Sequence, residues 1–587
     1  MHTFIMGIIF LILGGWLYGN ICERAFRPDD RKTPAYAKND GVDYVPLPKW
    51  KNALINLLNI AGTGPILGPI QGILFGPIAF ITIPIGCVIG GAVHDYLSGM
   101  ISVREGGIQM PELVRRTAGK WIHKIYTVFV CLVLFLIGVV FIYTPGDIAA
   151  TQLFGFGGTA KEPSTWVIYG VIFVYYLIAS VFPIDKIIGR IYPLFGAVLI
   201  LSAIGIFAML LTKNSPMTDL MTYRGSINPD GGLLSGKYIL PAFLLITIVT
   251  LHLYHRFAGR IKDGKATGIY FTFGLVLILT ALAVFAVMLI RGYDLVELWD
   301  PHTINAFNYN NYFESEHFIP VFFVTVACGI LSGFHSTQIT LVTRTLESEK
   351  EGRTAFYNMM IAEGFIAMVW AAGTMAMISL GAEEAGITIA QTDAGWSYLA
   401  KVNGVIQPIT ATSVVGVVCK NMLGPVGGMI AVIGVIILPV TSGDTALRSM
   451  RLILADTFGI KQDSGRKRLL LALPVFAAAL LVLIWAKNDP NGFNTIWRYF
   501  GWSNQTLAVF ALAAITIWMM QHDRKKFMWL PVIPLSFYAF ITCSYLLSSK
   551  IGLGLSHNVS IIGGLLFALT VTTAVVVKGN TRGTESS

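Results

Sequence analysis

Apolar runs long enough to cross a lipid bilayer follow one another almost from end to end of this chain. About 20 helical residues at 1.5 Å rise cover a hydrocarbon core roughly 30 Å thick, and a helix satisfies its own backbone polar groups there. Fifteen runs are read along the 587 residues: Thr3–Cys22, Asn52–Leu74, Pro77–Val103, Ile125–Thr144, Thr165–Pro183, Ile191–Thr212, Tyr238–His255, Gly268–Ile290, Phe318–Thr343, Thr354–Leu380, Leu423–Leu447, Leu469–Ala486, Tyr499–Met520, Phe527–Ser549 and His557–Val577. Only 13% of residues are charged, about half the share usual in soluble domains. The expected fold is therefore an all-α polytopic membrane protein forming a single transmembrane domain, 1–587. Thr3–Cys22 has no basic residue ahead of it and no small-x-small cleavage pattern, so it reads as a span rather than a signal peptide.

The formal charge of +10 would suit nucleic acid if it were clustered, but its distribution points elsewhere. Threading the fifteen spans puts 32 of the 42 Lys and Arg residues on one side and 10 on the other, among them Lys401, Lys420, Lys487 and Lys550. Basic loops mark the cytoplasmic face. The expected orientation has the N-terminus outside and the C-terminus inside, with the lipid bilayer as partner and no nucleic acid. The six cysteines are scattered, with no Cys-x-x-Cys pair, so neither a disulfide framework nor a zinc site is expected. No cofactor is expected either: the chain has no complete phosphate-cradling Gly-x-x-x-x-Gly-Lys-Ser/Thr loop.

Two spans are interrupted. The second reads Asn59-Ile-Ala-Gly-Thr-Gly-Pro-Ile-Leu-Gly-Pro69, too rich in glycine and proline for a regular helix interior. The ninth reads Ala327-Cys-Gly-Ile-Leu-Ser-Gly-Phe-His-Ser-Thr-Gln338, with a polar run at membrane depth. Irregular backbone is tolerated there where it is buried in protein or lines a cavity, and paired interrupted helices point to a transporter's midplane site. Gly62, Thr63, Gly64, Ser332, Gly333, His335 and Ser336 are the candidate substrate contacts; close helix packing is the competing explanation. The two interrupted spans run in opposite directions. They suggest two inverted five-helix repeats, 52–212 and 318–520, with inserted helices over 213–317 and extra helices over 521–587.

Ionisable groups inside spans are costly and usually functional. Asp95, Glu363 and Asp444 are the acids that fall within these boundaries. His94 and Asp95 adjoin each other, and histidine changes charge near neutral pH, which suits a proton carrier. Asp444 lies among Thr441, Ser442 and Thr445, a set of oxygens that suits sodium as well as a proton; pairing with Arg448 one turn on is the alternative. His94, Asp95, Thr441, Ser442, Asp444 and Thr445, with Glu363 at the centre of the tenth span, are the seven candidate ion-coupling groups. Ser503, Asn504 and Gln505 form a further polar break, in the thirteenth span, and helix–helix hydrogen bonding explains them equally well. His252 and His255 stand three apart but have no further ligands near them, so no metal site is expected.

The chain resembles the carbon starvation protein A (CstA) family of peptide transporters. The resemblance rests on Asn59–Pro69, Gly91-Ala-Val-His-Asp95, Ala327–His335, Thr441-Ser-Gly-Asp-Thr445 and Phe500-Gly-Trp-Ser-Asn-Gln505. It is closer to the shorter branch, for it lacks the Pro-Arg-Asp-Tyr stretch of longer members; Leu251–Arg256 stands in that region. The resemblance implies uptake of peptides or pyruvate through a prokaryotic inner membrane under carbon starvation. It also implies a five-plus-five inverted-repeat core of the amino acid/polyamine/organocation kind, with broken helices. A proton-coupled symporter is the expected function; a channel, or a membrane-embedded enzyme or sensor, is the alternative.

Overall fold

Each expected span that falls on described residues is helical. The computed structural model describes residues 2–41, 44–181, 184–212, 318–392, 395–402, 404–460, 465–489 and 492–581. The seventh and eighth expected spans, with His252 and His255, lie outside them. In chain order the helices are α1 (His2–Phe26), α2 (Lys49–Ala61), α3 (Gly64–Gly72), α4 (Ala79–Gly86), α5 (Ala92–Arg104), α6 (Met110–Ala118), α7 (Lys120–Ile148), α8 (Pro163–Val181) and α9 (Ile184–Thr212). They continue with α10 (Phe318–Thr325), α11 (Ala327–Ile330), α12 (His335–Thr343), α13 (Asn358–Leu380), α14 (Ala411–Phe458), α15 (Gly465–Asn488), α16 (Gly492–Gln521), α17 (Trp529–Ser548) and α18 (His557–Asn580). Among the described residues ten helices are long and apolar enough to cross a membrane, or up to eleven if the bent pair α2–α3 is one span. The ninth expected span is divided over α10, α11 and α12.

Local sequence accounts for the departures from straight helix. The eleventh expected span begins at Leu423, where Gly424, at φ 72°, and Pro425 kink α14. The helix itself starts twelve residues earlier, at Ala411. π-Helical turns at Cys87–Gly91, Ala149–Leu153 and Arg353–Tyr357 join α4 to α5, extend α7 and lead into α13. The all-α expectation takes one addition, a three-stranded antiparallel sheet of β1 (Thr388–Thr392), β2 (Gly395–Val402) and β3 (Val405–Ile409). Its signal was in the sequence, where an Asn-Gly pair, a dipeptide favoured in two-residue hairpins, separates Val402 from Val405; these two valines pair in the register.

Burial sorts the helices into core and periphery. The most apolar stretches of α13 and α16 are 83% buried, whereas that of α18 is 22% buried and faces outward. α1 packs against α4, α5 and α13 as an integral part of the bundle. At the centre, α3 packs on α11 and α13, and α12 packs on α2 and α5. The two interrupted spans therefore lie against each other, with α5 and α13 alongside.

Candidate functional site

The first interruption is built by glycine and proline. Gly62 takes φ +31°, a region closed to most side chains, and Pro65 occupies the first turn of α3, where its missing N–H costs nothing. The two halves are bent by 46°. A Cβ on Gly64 would overlap the side chain of Cys328 in α11, so the glycine lets the two interrupted spans touch. Just before the break, the fully buried Asn59 has neither amide atom hydrogen-bonded, and the buried hydroxyl of Thr63 is likewise unpartnered. Uncompensated buried polar groups are costly; here they mark where a polar guest would be held.

The second interruption is held by α16. Asn504 Oδ1 accepts the Phe334 amide at 2.8 Å, its carbonyl accepts the Gly333 amide at 3.1 Å, and its amide nitrogen donates to Ser332 Oγ at 3.0 Å. Gln505 Nε2 donates to the Phe323 carbonyl at 2.5 Å. The Ser503–Gln505 stretch is thus not a break of its own. It lies within continuous helix and caps the break opposite. The freed amides that the sequence assigns to substrate at Gly333 are taken by protein here, and Ser336 Oγ donates to the Gly333 carbonyl at 2.6 Å.

Directly after this capped turn the structure assembles four of the candidate residues. Asp95 Oδ1 lies 2.8 Å from His94 Nδ1, and its Oδ2 lies 2.9 Å from His335 Nδ1. His335 Nε2 faces Glu363 Oε2 at 3.5 Å. All four side chains are fully buried. An ionised carboxylate only accepts, so both imidazoles present Nδ1–H to Asp95. Asp95 thereby fixes the His335 tautomer and leaves Nε2 poised to take a proton opposite Glu363. One proton can sit on either member of that pair without moving a heavy atom. α5 carries His94 and Asp95, α12 carries His335 and α13 carries Glu363, so the cluster joins the second interrupted span to the two helices alongside it. Among the described residues no group of three or more His, Cys, Asp or Glu side chains is disposed to hold a metal ion.

The other coupling candidates lie apart. Asp444 pairs with Arg448 Nη2 at 3.4 Å. Thr441 and Thr445 hydroxyls donate to carbonyls of their own helix, Leu438 and Ser442, at 2.8 Å. Ser442 reaches the first interrupted span, donating to the Leu58 carbonyl at 2.8 Å.

Sequence reasoning missed a second buried charge. Asp147, 1% exposed, pairs with Lys487 Nζ at 2.5 Å and accepts from the Thr412 hydroxyl. Lys487 lies 4.8 Å from the centre of the Tyr143 ring. The expected fourth span stopped at Thr144, which left Asp147 in a loop; the helix runs on through Pro145-Gly146 to Ile148. Lys487→Met strands Asp147 without its cation and is expected to destabilise the protein by about 3–5 kcal/mol. Thermal melting of the purified protein in detergent measures this, and adding Asp147→Asn should recover most of the loss. Equal melting of the single variant and the wild type would rule the pair out as a determinant of stability.

The chain matches the family described as carbon starvation protein CstA over residues 1–145 and 269–545. It is 35% identical over 398 residues to an uncharacterized membrane protein of Haemophilus influenzae, covering 63% of this chain and 89% of that one. It is 26% identical over 588 residues to the peptide transporter CstA of Mycobacterium tuberculosis, covering 89% of this chain and 72% of that one. Among solved structures, a manganese transporter of Eremococcus coleocola superposes with a TM-score of 0.51 at 9% identity, over 92% of this chain and 98% of that one. That likeness concerns the fold alone.

Proposed function

The chain belongs to the carbon starvation protein CstA family, and from that premise we propose that it is a secondary active transporter importing a small carboxylate-bearing nutrient, a short peptide or pyruvate, in symport with a proton. It is a membrane transporter and not an enzyme. The observation that carries the finer reading is the buried His94–Asp95–His335–Glu363 cluster, held by α12 of the second interrupted span and by α5 and α13, with α12 and α13 packed against the first interrupted span. A proton held on the His335–Glu363 pair changes the charge of a site that touches both interrupted spans. The unpartnered Asn59 amide and Thr63 hydroxyl support a substrate seat at the first break, within reach of Gly62 to Gly64. Ser332, Gly333 and Ser336 form the facing wall, shaped by Asn504.

In this reading 52–212 and 318–520 are the two inverted repeats, and alternating access rocks helices about the seat. The basic face is cytoplasmic, so the N-terminus is outside, the C-terminus inside, and the membrane is a prokaryotic inner membrane. Sodium is the less favoured ion. It needs several oxygens free to coordinate, and the hydroxyls of Thr441, Ser442 and Thr445 are engaged with backbone carbonyls.

Proteoliposomes test the proposal with labelled pyruvate and labelled dialanine, imposing proton and sodium gradients separately. Saturable uptake of at least one of them, driven by an inward proton gradient and abolished by an uncoupler, is expected. Flux that never saturates would identify a channel. Uptake driven by sodium alone would replace the coupling ion.

A further inference from the structure

α5 and α12 leave the cluster side by side. His94, Ser98 and Ser102 are spaced by four along α5, as are Ser336 and Thr340 along α12, so each set lies along one helix face. Between these faces lies a cavity of about 10 Å³, lined by Ser98, Ser102, Ser336 and Thr340 and bounded by Ile108 and Met110. That is room for roughly one water molecule. Ser98 Oγ is 2% exposed and has no hydrogen-bond partner, and neither does His94 Nε2 one turn nearer the cluster. On the far side, Ser102 Oγ is 3.1 Å from Thr343 Oγ1 and donates to the Ile108 carbonyl at 2.7 Å. Ile108 also lines a wider cavity of about 420 Å³, with Lys38, Tyr44, His123 and Arg344 around it. Lys38 and Arg344 there donate to the carbonyls of Gly106 and Gly107.

We propose that this hydroxyl-lined gap is the route by which the cluster exchanges its proton with the wide cavity, through a single water seated at Ser98. The inference rests on the cluster being the proton carrier. Room for one water passes a proton and excludes a peptide or pyruvate, so proton and substrate leave by separate ways. The Lys38 and Arg344 charges at the mouth disfavour a proton dwelling there. The ionisable groups around the cluster and the gap are His94, Asp95 and Tyr96 on α5, Glu363 on α13, Cys87 in the π turn, Cys328 on α11, Tyr538 on α17 and Tyr126 on α7, whose hydroxyl approaches Ser336. His123, Arg115 and Glu112 join the cations at the mouth.

The full chain in uniformly oriented vesicles tests this without any substrate. The probe is the infrared carboxyl band of Glu363, assigned by its loss in Glu363→Gln, after a pH jump on one face at a time. In the wild type the band should answer faster to a jump on the face of the wide cavity. Ser98→Ala with Thr340→Val removes two hydroxyls at nearly constant volume and should slow that response about tenfold or more, leaving its final extent unchanged. Thr340→Val alone, the mildest change, should slow it in part. Ser98→Thr with Thr340→Ser keeps both hydroxyls and should respond at the wild-type rate. An unchanged rate in the hydroxyl-free variant, equal slowing in the hydroxyl-keeping one, or a faster wild-type response from the opposite face would overturn the route. A band that answers from neither face would overturn the cluster as proton carrier, and the route with it. Absent uptake beside a normal response would overturn the transport reading alone.

Discussion

His335→Gln will abolish accumulation against a gradient, by about 100-fold or more, while leaving substrate exchange across the membrane measurable. Glutamine can still donate to Asp95 Oδ2, where His335 Nδ1 sits at 2.9 Å. It cannot gain or lose a proton opposite Glu363. Counterflow and proton-driven uptake on the same reconstituted protein separate the two abilities. Glu363→Gln removes the other half of the shared pair and should behave alike. Asp444→Asn is the contrast: its carboxylate pairs with Arg448, so its cost should appear mainly as lowered thermal stability. Full concentrative uptake by His335→Gln would reduce the cluster to buried structure.

Gly64→Leu is expected to eliminate uptake altogether. A Cβ at this position overlaps the side chain of Cys328, so even Gly64→Ala forces the two interrupted spans apart. Overpacking of this kind typically costs 1–3 kcal/mol, and here it falls on the contact through which the halves of the site meet. Cys328→Gly should restore much of the uptake of Gly64→Ala, because it removes the atoms in the way. Rescue would assign Gly64 to helix contact. Failure to rescue in a protein of wild-type melting temperature would assign it to a substrate that approaches the bare backbone.

What was legible in the sequence was what depends on composition and on single residues. Apolar length located the spans, glycine and proline located the interruptions, and the rarity of ionisable groups at membrane depth singled out Asp95 and Glu363. Position in three dimensions was less accessible. His94 and Asp95 are sequence neighbours and normally diverge around a helix, yet Nδ1 of His94 returns to Asp95 Oδ1 at 2.8 Å. His335 lies 240 residues from Asp95, and nothing local announces their meeting. Asn504 looked like one polar residue among three; its work at the Ser332–Phe334 turn follows from packing across α16 and α11. Asp147 fell three residues beyond the expected end of the fourth span at Thr144, because the helix continues through Pro145-Gly146. Proline-containing helices persist in membranes when neighbouring groups satisfy the freed backbone.

The π-helical turn at Cys87–Gly91 has a consequence for heredity. Such a turn accommodates one residue more than regular α-helix would, and each residue rotates the helix by about 100°. Everything downstream, Asp95 included, is therefore aimed by that surplus residue. Loss of a single codon anywhere in the turn would straighten the helix, keep its hydropathy and its length within one residue, and swing the carboxylate away from His335. The bulge and the acid can be inherited only together. Among relatives, a gap of one position at this place is expected to separate chains that retain the cluster from chains that merely retain its letters.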